Sequence, residues 1–329
     1  MEIFSQLVEE FSELPHVKDW GELKAIFQRA ALAKPKHWLL PLRTCESVGG
    51  DVSTGFGQAQ SASSTPGQAF PALLAVACGH IGIILVDDML DEDPRGIHVG
   101  AGKAATANMA SALQSAAGVA ISTSGMEPAA KLRAMEAVNV MFLSTSLGQY
   151  WDVKTVPDDE ETYWKIARAK SSPFFSTAFE VGALVGGASL DLAARIKELG
   201  VIYGEMIQIH DDLDDSLTTP ATPDWSVGCS SLPILFAQVV DHPARSRFEG
   251  LRLLAPEQAS ALEEAQEILV QCGAVSYCVH ELVQRYDKAR GMIYALGLNR
   301  RDALEKIFED VTQPVFRLLE EADATPFAS

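Results

Sequence analysis

Six carboxylates carry the first chemical signal in this chain. Asp87, Asp88 and Asp91 stand in ILVDDMLDED, and Asp211, Asp212 and Asp215 stand in MIQIHDDLDD, so the pattern DDxxD occurs twice, 124 residues apart. On a helix, residues i and i+4 share a face, which puts Asp87 beside Asp91 and Asp211 beside Asp215. Like charges at that spacing repel by about 0.2–0.5 kcal/mol per pair, so each cluster calls for a counter-charge. Paired carboxylates are hard oxygen ligands suited to Mg²⁺, an ion that keeps several waters and shares its other positions with phosphate oxygens. One such motif would read equally well as a solvated helix end. Both copies, however, follow apolar stretches that must be buried, so each marks where a core helix emerges. An EF-hand reading of DEDPRG fails, because Arg95 takes a ligand position and Gly102 stands where the bidentate Glu belongs.

Around these clusters the sequence resembles the isoprenyl diphosphate synthases. HIGIILVDDMLDEDPRG, with His80 seven residues ahead of Asp87, is similar to that family's first aspartate-rich motif. GQYWDV (Gly148 to Val153), Lys170-Ser171 and GEMIQIHDDLDD follow in the order of its later motifs, and the resemblance runs over residues 30–300. It implies an all-α helical bundle of the class I terpene synthase type around a deep central cavity, assembled as a homodimer. The two clusters would face each other across the cavity mouth, with all six aspartates as ligands of Mg²⁺, typically three ions, around an allylic prenyl diphosphate. The resemblance also assigns diphosphate or cation contacts to Arg95, Gln149, Lys170 and Gln208, and a substrate contact to His80. In that chemistry the metal acts as a Lewis acid on the diphosphate and the allylic C–O bond ionises to a carbocation. Tyr150, Trp151, Phe174, Phe175 and Phe179 have ring faces that could shield the cation, and read equally well as helix core.

The departures from the family concern the second substrate. Chain-elongating members carry GGKRxRP, whose basic residues hold isopentenyl diphosphate. Here KPKHWLLPLRTCESVGGD (Lys34 to Asp51) occupies that place: Pro41 matches, but Trp38 and Leu40 stand for the arginines and His37 for the lysine. Lys34 and Lys36 offer partial replacement. Arg95 is single where the family has adjacent arginines, and Cys229 stands for a later lysine. Charge-assisted hydrogen bonds contribute about 1.5–3 kcal/mol each, so losing several predicts a much weakened acceptor site. The first expectation is therefore a terpene synthase that ionises a C15 or C20 prenyl diphosphate without isopentenyl diphosphate. The alternative is a prenyltransferase, either chain-elongating or using another acceptor, and a non-catalytic partner subunit is a third. Gly82 and Ile83, at positions where bulky aromatics floor the cavity of short-chain members, predict an open floor.

These side chains need helices to position them, and helical signals dominate. Residues 103–117, 129–149, 158–188, 191–215, 256–291 and 301–322 are rich in Ala, Leu, Glu, Met and Lys, with apolar residues at three- and four-residue spacing. Two Gly-, Ser- and Pro-rich stretches, 49–70 and 216–231, read as loops, the first as an insertion. One all-α domain over 1–329 is the economical organisation. With 26 Lys+Arg against 44 Asp+Glu the net charge is −18, which disfavours nucleic acid and anionic lipid as partners. Five scattered cysteines without a C-x-x-C pair suggest neither a zinc site nor a disulfide framework. The acidic start lacks the order of a signal peptide, and the apolar run 71–86 is shorter than the roughly 20 residues of a membrane span. These features predict a cytoplasmic protein.

Overall fold

Periodic apolar residues fold into helices throughout the described residues. The computed structural model describes residues 3–50, 67–226 and 230–324, with side chains as far as residue 313, and these contain no strand. The first helices are α1 (Ile3–Glu13), α2 (Gly21–Leu32) and, after a 3₁₀ turn at Lys36–Leu39, α3 (Leu40–Ser47). Then come α4 (Phe70–Leu90), α5 (Ile97–Ala101), α6 (Lys103–Ser122), α7 (Pro128–Lys154), α8 (Glu160–Lys170), α9 (Ser172–Val185) and α10 (Leu190–Leu217). A second 3₁₀ turn, Pro223–Trp225, precedes α11 (Leu232–Val239), α12 (Arg245–Arg252), α13 (Ala259–Gln271), α14 (Ala274–Leu296) and α15 (Asp302–Ala324).

The fold is all-α, and its differences from expectation have local causes. The helix expected over 158–188 is two, because Pro173 in the first turn of α9 cannot continue the hydrogen-bond ladder of α8. The one expected over 256–291 divides at Gly273, whose φ of +88° belongs to the left-handed region. Asp159 accepts from Thr162 N at 2.7 Å to cap α8, and Ser189 accepts from Leu192 N at 3.2 Å to cap α10. Most of the 49–70 loop, and Cys229, lie outside the described residues.

Helix α4 is the axis of the bundle. It is apolar on every side, as a helix surrounded by others must be, and it packs against α3, α6, α7 and α9. At 21 residues it is longer than its uninterrupted apolar run and has the length and composition to cross a membrane, yet 67% of its most apolar window is buried inside the protein. Small residues let its neighbours approach. A Cβ on Gly79 would lie 2.9 Å from Met141 Cε, and one on Gly82 would lie 3.5 Å from Leu113 Cβ and 3.6 Å from the Ala110 carbonyl. Gly82 therefore faces α6, and the open floor expected there is filled by that helix. Ile83 is half-buried against the main core.

A smaller apolar cluster, including Trp225, Ile234, Phe248, Leu262 and Leu269, is built by the second 3₁₀ turn and α11–α13. The loop between α10 and α11 is held at its stems. Ser216 Oγ and Ser231 Oγ lie 2.9 Å apart, and Gln266 Nε2 donates to the carbonyls of Ser216 (3.2 Å) and Thr218 (3.1 Å).

Candidate active site

Both aspartate motifs fall at helix C-termini. Asp87 and Asp88 lie in the last turn of α4 and Asp91 is its C-cap residue, while Asp211, Asp212 and Asp215 occupy the last two turns of α10. A helix C-terminus already carries about half a negative charge, so carboxylates there are disfavoured by the dipole as well as by each other. Burial raises the pKa of Asp88, with Asp93 and Asp87 adding to it. Burial and then Asp211 and Asp214 do the same to Asp215. For Asp91, burial and Asp87 raise it while Lys170 opposes them. Each cluster is thus an unmet demand for cations.

Part of that demand is met from α7 and α8. Lys170 Nζ lies 3.2 Å from Asp87 Oδ1 and 2.6 Å from Asp152 Oδ2, and Gln149 Nε2 donates to Asp87 at 3.1 Å. Burial works against the ammonium, but Asp87 and Asp152 outweigh it and raise its pKa. The helices can present these groups together because Gly148 sits at their crossing, where a Cβ would lie 2.2 Å from Lys170 N. Gln149, Lys170 and Asp87 therefore converge.

Asp212 behaves unlike its motif neighbours. It is 4% exposed, and its carboxylate accepts from Tyr163 Oη (2.6 Å), Leu232 N (2.6 Å) and Gln208 Nε2 (2.7 Å). Burial still pushes its pKa up to about 7 against these three donors. Gln208 is spent in the same network, since its Oε1 accepts from Ser171 Oγ at 2.6 Å. Expected at the mouth with the substrate, Asp212 and Gln208 are instead taken up in tying α10 to α8 and α11. The polar partners explain why: a carboxylate inside the fold needs every oxygen satisfied.

Two acidic residues that the motif reading did not single out complete the site. Asp152 is the second partner of Lys170. Asp224, in the second 3₁₀ turn, is pushed up to about 6 by burial and then by Asp215, and it also feels Lys170, Asp152 and Asp211. It thus stands electrostatically between the two clusters. Nothing in the turn sequence PATPDW signals this. Arg95 is bound to Asp93 (2.7 Å) with its side chain 86% exposed, although its charge reaches Asp88 and Asp215.

Deeper along α4, aromatic rings surround two histidines. His80 lies 5.2 Å from the Phe174 ring and 6.4 Å from that of His37; His37 in turn lies 5.2 Å from Phe175 and 6.4 Å from Tyr203. Phe179 packs on Tyr203 at 5.6 Å. Trp38, fully buried, backs this box against Phe27 and Phe4. Of the five candidate shielding rings, Phe174, Phe175 and Phe179 are here. Tyr150 is 59% exposed, and Trp151 lies under Lys165 at 4.6 Å. A cavity of about 610 Å³, lined by Leu14, Phe70, Leu74, Met126 and Val185 among others, opens at the other end of α4, away from the aspartates.

The donor set fits a divalent cation of the Mg²⁺ kind. Among the described residues no three acidic, His or Cys side chains converge into a closed metal cage. An ion here would take one or two carboxylate oxygens from a cluster and complete its shell with water and phosphate, as Mg²⁺ does.

Comparison with known proteins agrees with the all-α fold. Residues 53–269 match the family model described as polyprenyl synthetase. The geranylgeranyl diphosphate synthase of Methanosarcina mazei is 26% identical over 260 residues, covering 75% of this chain and 78% of that protein. Among solved structures, the geranylgeranyl pyrophosphate synthetase of Pyrococcus horikoshii superposes with a TM-score of 0.76 at 21% identity, over 94% of this chain and 97% of the other. The geranylgeranyl pyrophosphate synthase of Corynebacterium glutamicum, complexed with calcium and isoprenyl diphosphate, gives 0.75 at 20% identity, over 95% of each chain.

Proposed function

The chain belongs to the polyprenyl synthetase family, and from that premise we propose that it is a Mg²⁺-dependent prenyltransferase acting on an allylic prenyl diphosphate. The observation that carries this is the pair of carboxylate clusters ending α4 and α10, with Lys170 held at Asp87 and Asp152 between them. When bound, the metal supplies Lewis acidity toward the diphosphate. The chain's own residues do the rest. Asp87, Asp88, Asp91, Asp211 and Asp215 offer the oxygens that hold it, and Asp212 and Gln208 fix the end of α10. Lys170 is placed to turn from Asp87 toward the diphosphate, a charge-assisted contact. Below them, Phe174 and Phe175 present rings to the cation that ionisation leaves, and keep water from it, while Phe179, fully buried between Tyr203 and Phe308, backs them as core.

The activity named for the relatives favours transfer to an acceptor over the acceptor-free cyclisation that the sequence placed first. His37, Trp38 and Leu40, standing where family members are basic, keep cyclisation or another acceptor as the second reading. Matched incubations with Mg²⁺ and geranyl, farnesyl or geranylgeranyl diphosphate, each with and without isopentenyl diphosphate, decide between them. A longer prenyl diphosphate formed only with isopentenyl diphosphate is the expected result. A hydrocarbon or terpene alcohol formed without it would replace transfer by cyclisation.

A homodimer is part of the proposal. Leu132, Val140, Leu143, Leu147 and Tyr150 recur on α7 with 45–74% exposure, an apolar stripe suited to a second copy. Light scattering should give twice the chain mass, and Leu143→Glu should halve it.

A further inference from the structure

Trp38 replaces a basic residue of the family, and it also makes a bond that determines the state of its neighbour. Its indole Nε1 lies 3.1 Å from His80 Nδ1, across 42 residues of sequence. An indole N–H can only donate, so Nδ1 of His80 must be the acceptor and carry no proton. An imidazolium, with N–H on both nitrogens, would set donor against donor. The environment agrees, since burial pushes the His80 pKa down to about 4 and His37 adds to the effect. A neutral imidazole with Nδ1 bare carries its proton on Nε2, and Nε2 has no hydrogen-bond partner among the described residues. His80 lies two turns of α4 before Asp87, so that free donor sits below the diphosphate-binding mouth.

We propose that Trp38 is a specificity-determining positioning residue: its N–H locks His80 as the Nε2–H tautomer, which gives the acceptor's anionic head a fixed, uncharged donor in place of a cation. This rests on the prenyltransferase reading for its consequence, though the lock itself does not. Trp38 acts through His80, and its own ring is fully buried against Phe27 (5.4 Å) and Phe4 (6.1 Å).

The test uses Trp38→Phe, which keeps an aromatic ring in the packing but removes the donor together with part of the indole's volume, so it is read against His80→Ala and the double variant. In ¹⁵N-labelled protein near neutral pH, His80 should show the Nε2–H pattern, and Trp38→Phe should convert it to a mixture. The KM for isopentenyl diphosphate should rise about tenfold, equivalent to ~1.4 kcal/mol, while that for the allylic substrate stays put. In the His80→Ala background the same substitution should change little, because the two residues act as a unit. A residue that only filled space would lower both substrates' kinetics alike and with or without His80. That result, an Nδ1–H or imidazolium pattern in the parent protein, or a pattern that Trp38→Phe leaves unchanged overturns the proposal. If isopentenyl diphosphate is never consumed, the transfer reading and the proposed role in specificity both fall, and the spectra alone decide the lock.

Discussion

Asp87 and Asp212 show how far apart the duties of one residue type can be within a repeated motif. Asp87 is half-buried at the mouth and held by a lysine and an amide that a metal can displace. Replacing it, or Asp211, with Ala should leave the helical circular dichroism intact and cut turnover at least ~100-fold, since metal Lewis acidity contributes several kcal/mol. Unchanged turnover in both would remove the metal mechanism. Asp212→Asn should act differently. Its amide must turn an N–H toward one of three donors, so above about pH 7, where the wild-type carboxyl is ionised, unfolding stability should fall by about 1–3 kcal/mol, measurable in urea. The spacing of the motifs was enough to locate the carboxylates. It could not show that Asp212 turns inward, because that depends on Tyr163 and Leu232, 49 and 20 residues away. For the same reason the motifs pointed to Gln208 as a substrate contact, and it is tied to Ser171 instead.

At the scale of elements, the site depends on how closely α7 and α8 approach. A methyl group at Gly148 would meet backbone, which cannot step aside as a flexible side chain can. Gly148→Ala should therefore push the helices apart, moving Gln149 and Lys170 together. We expect an overpacking cost of about 1–3 kcal/mol and a raised KM for the allylic diphosphate, the latter absent from an equally destabilising substitution in the smaller core. A variant that lost stability alone would separate this crossing from the site. Helix type and rough position were readable from apolar spacing, and the caps at Asp159 and Ser189 from residue type. The breaks before Pro173 and at Gly273 were written in the sequence but outweighed by the helical composition around them. Which way Gly82 faces was not readable, since it is settled by Leu113 and Ala110 on another helix.

For the molecule as a whole, acidification pulls in two directions. His80, held near 4 by burial, stays neutral in the folded protein while the unfolded chain takes up its proton below about 6.5, and burial lowers His37 in the same direction against the pull of Asp211. The contribution of His80 is lost as pH falls from there toward 4. Asp212 and Asp224, raised to about 7 and about 6, run the other way, since the folded form binds their protons first. A difference measurement isolates the histidine. Between about pH 7 and about pH 4.5, wild type should lose roughly 2–3 kcal/mol of unfolding free energy relative to His80→Gln. Parallel curves would mean that His80 titrates as if exposed. Charge composition alone gave the net −18 and none of this, because the sign of each contribution depends on burial.

The stapled stems between α10 and α11 bear on how the chain tolerates scission. Asp212 holds Leu232, Ser216 meets Ser231, and Gln266 grips the carbonyls of Ser216 and Thr218, so the ends of the loop are fixed independently of the peptide that joins them. The exposed stretch at Thr218–Thr219 could be given a protease site and cut once. The two fragments should then migrate as a single particle on a native gel, separating only in denaturant, with the aspartates of α10 still in place. The connection there is covalent, but the coherence of the two halves is not.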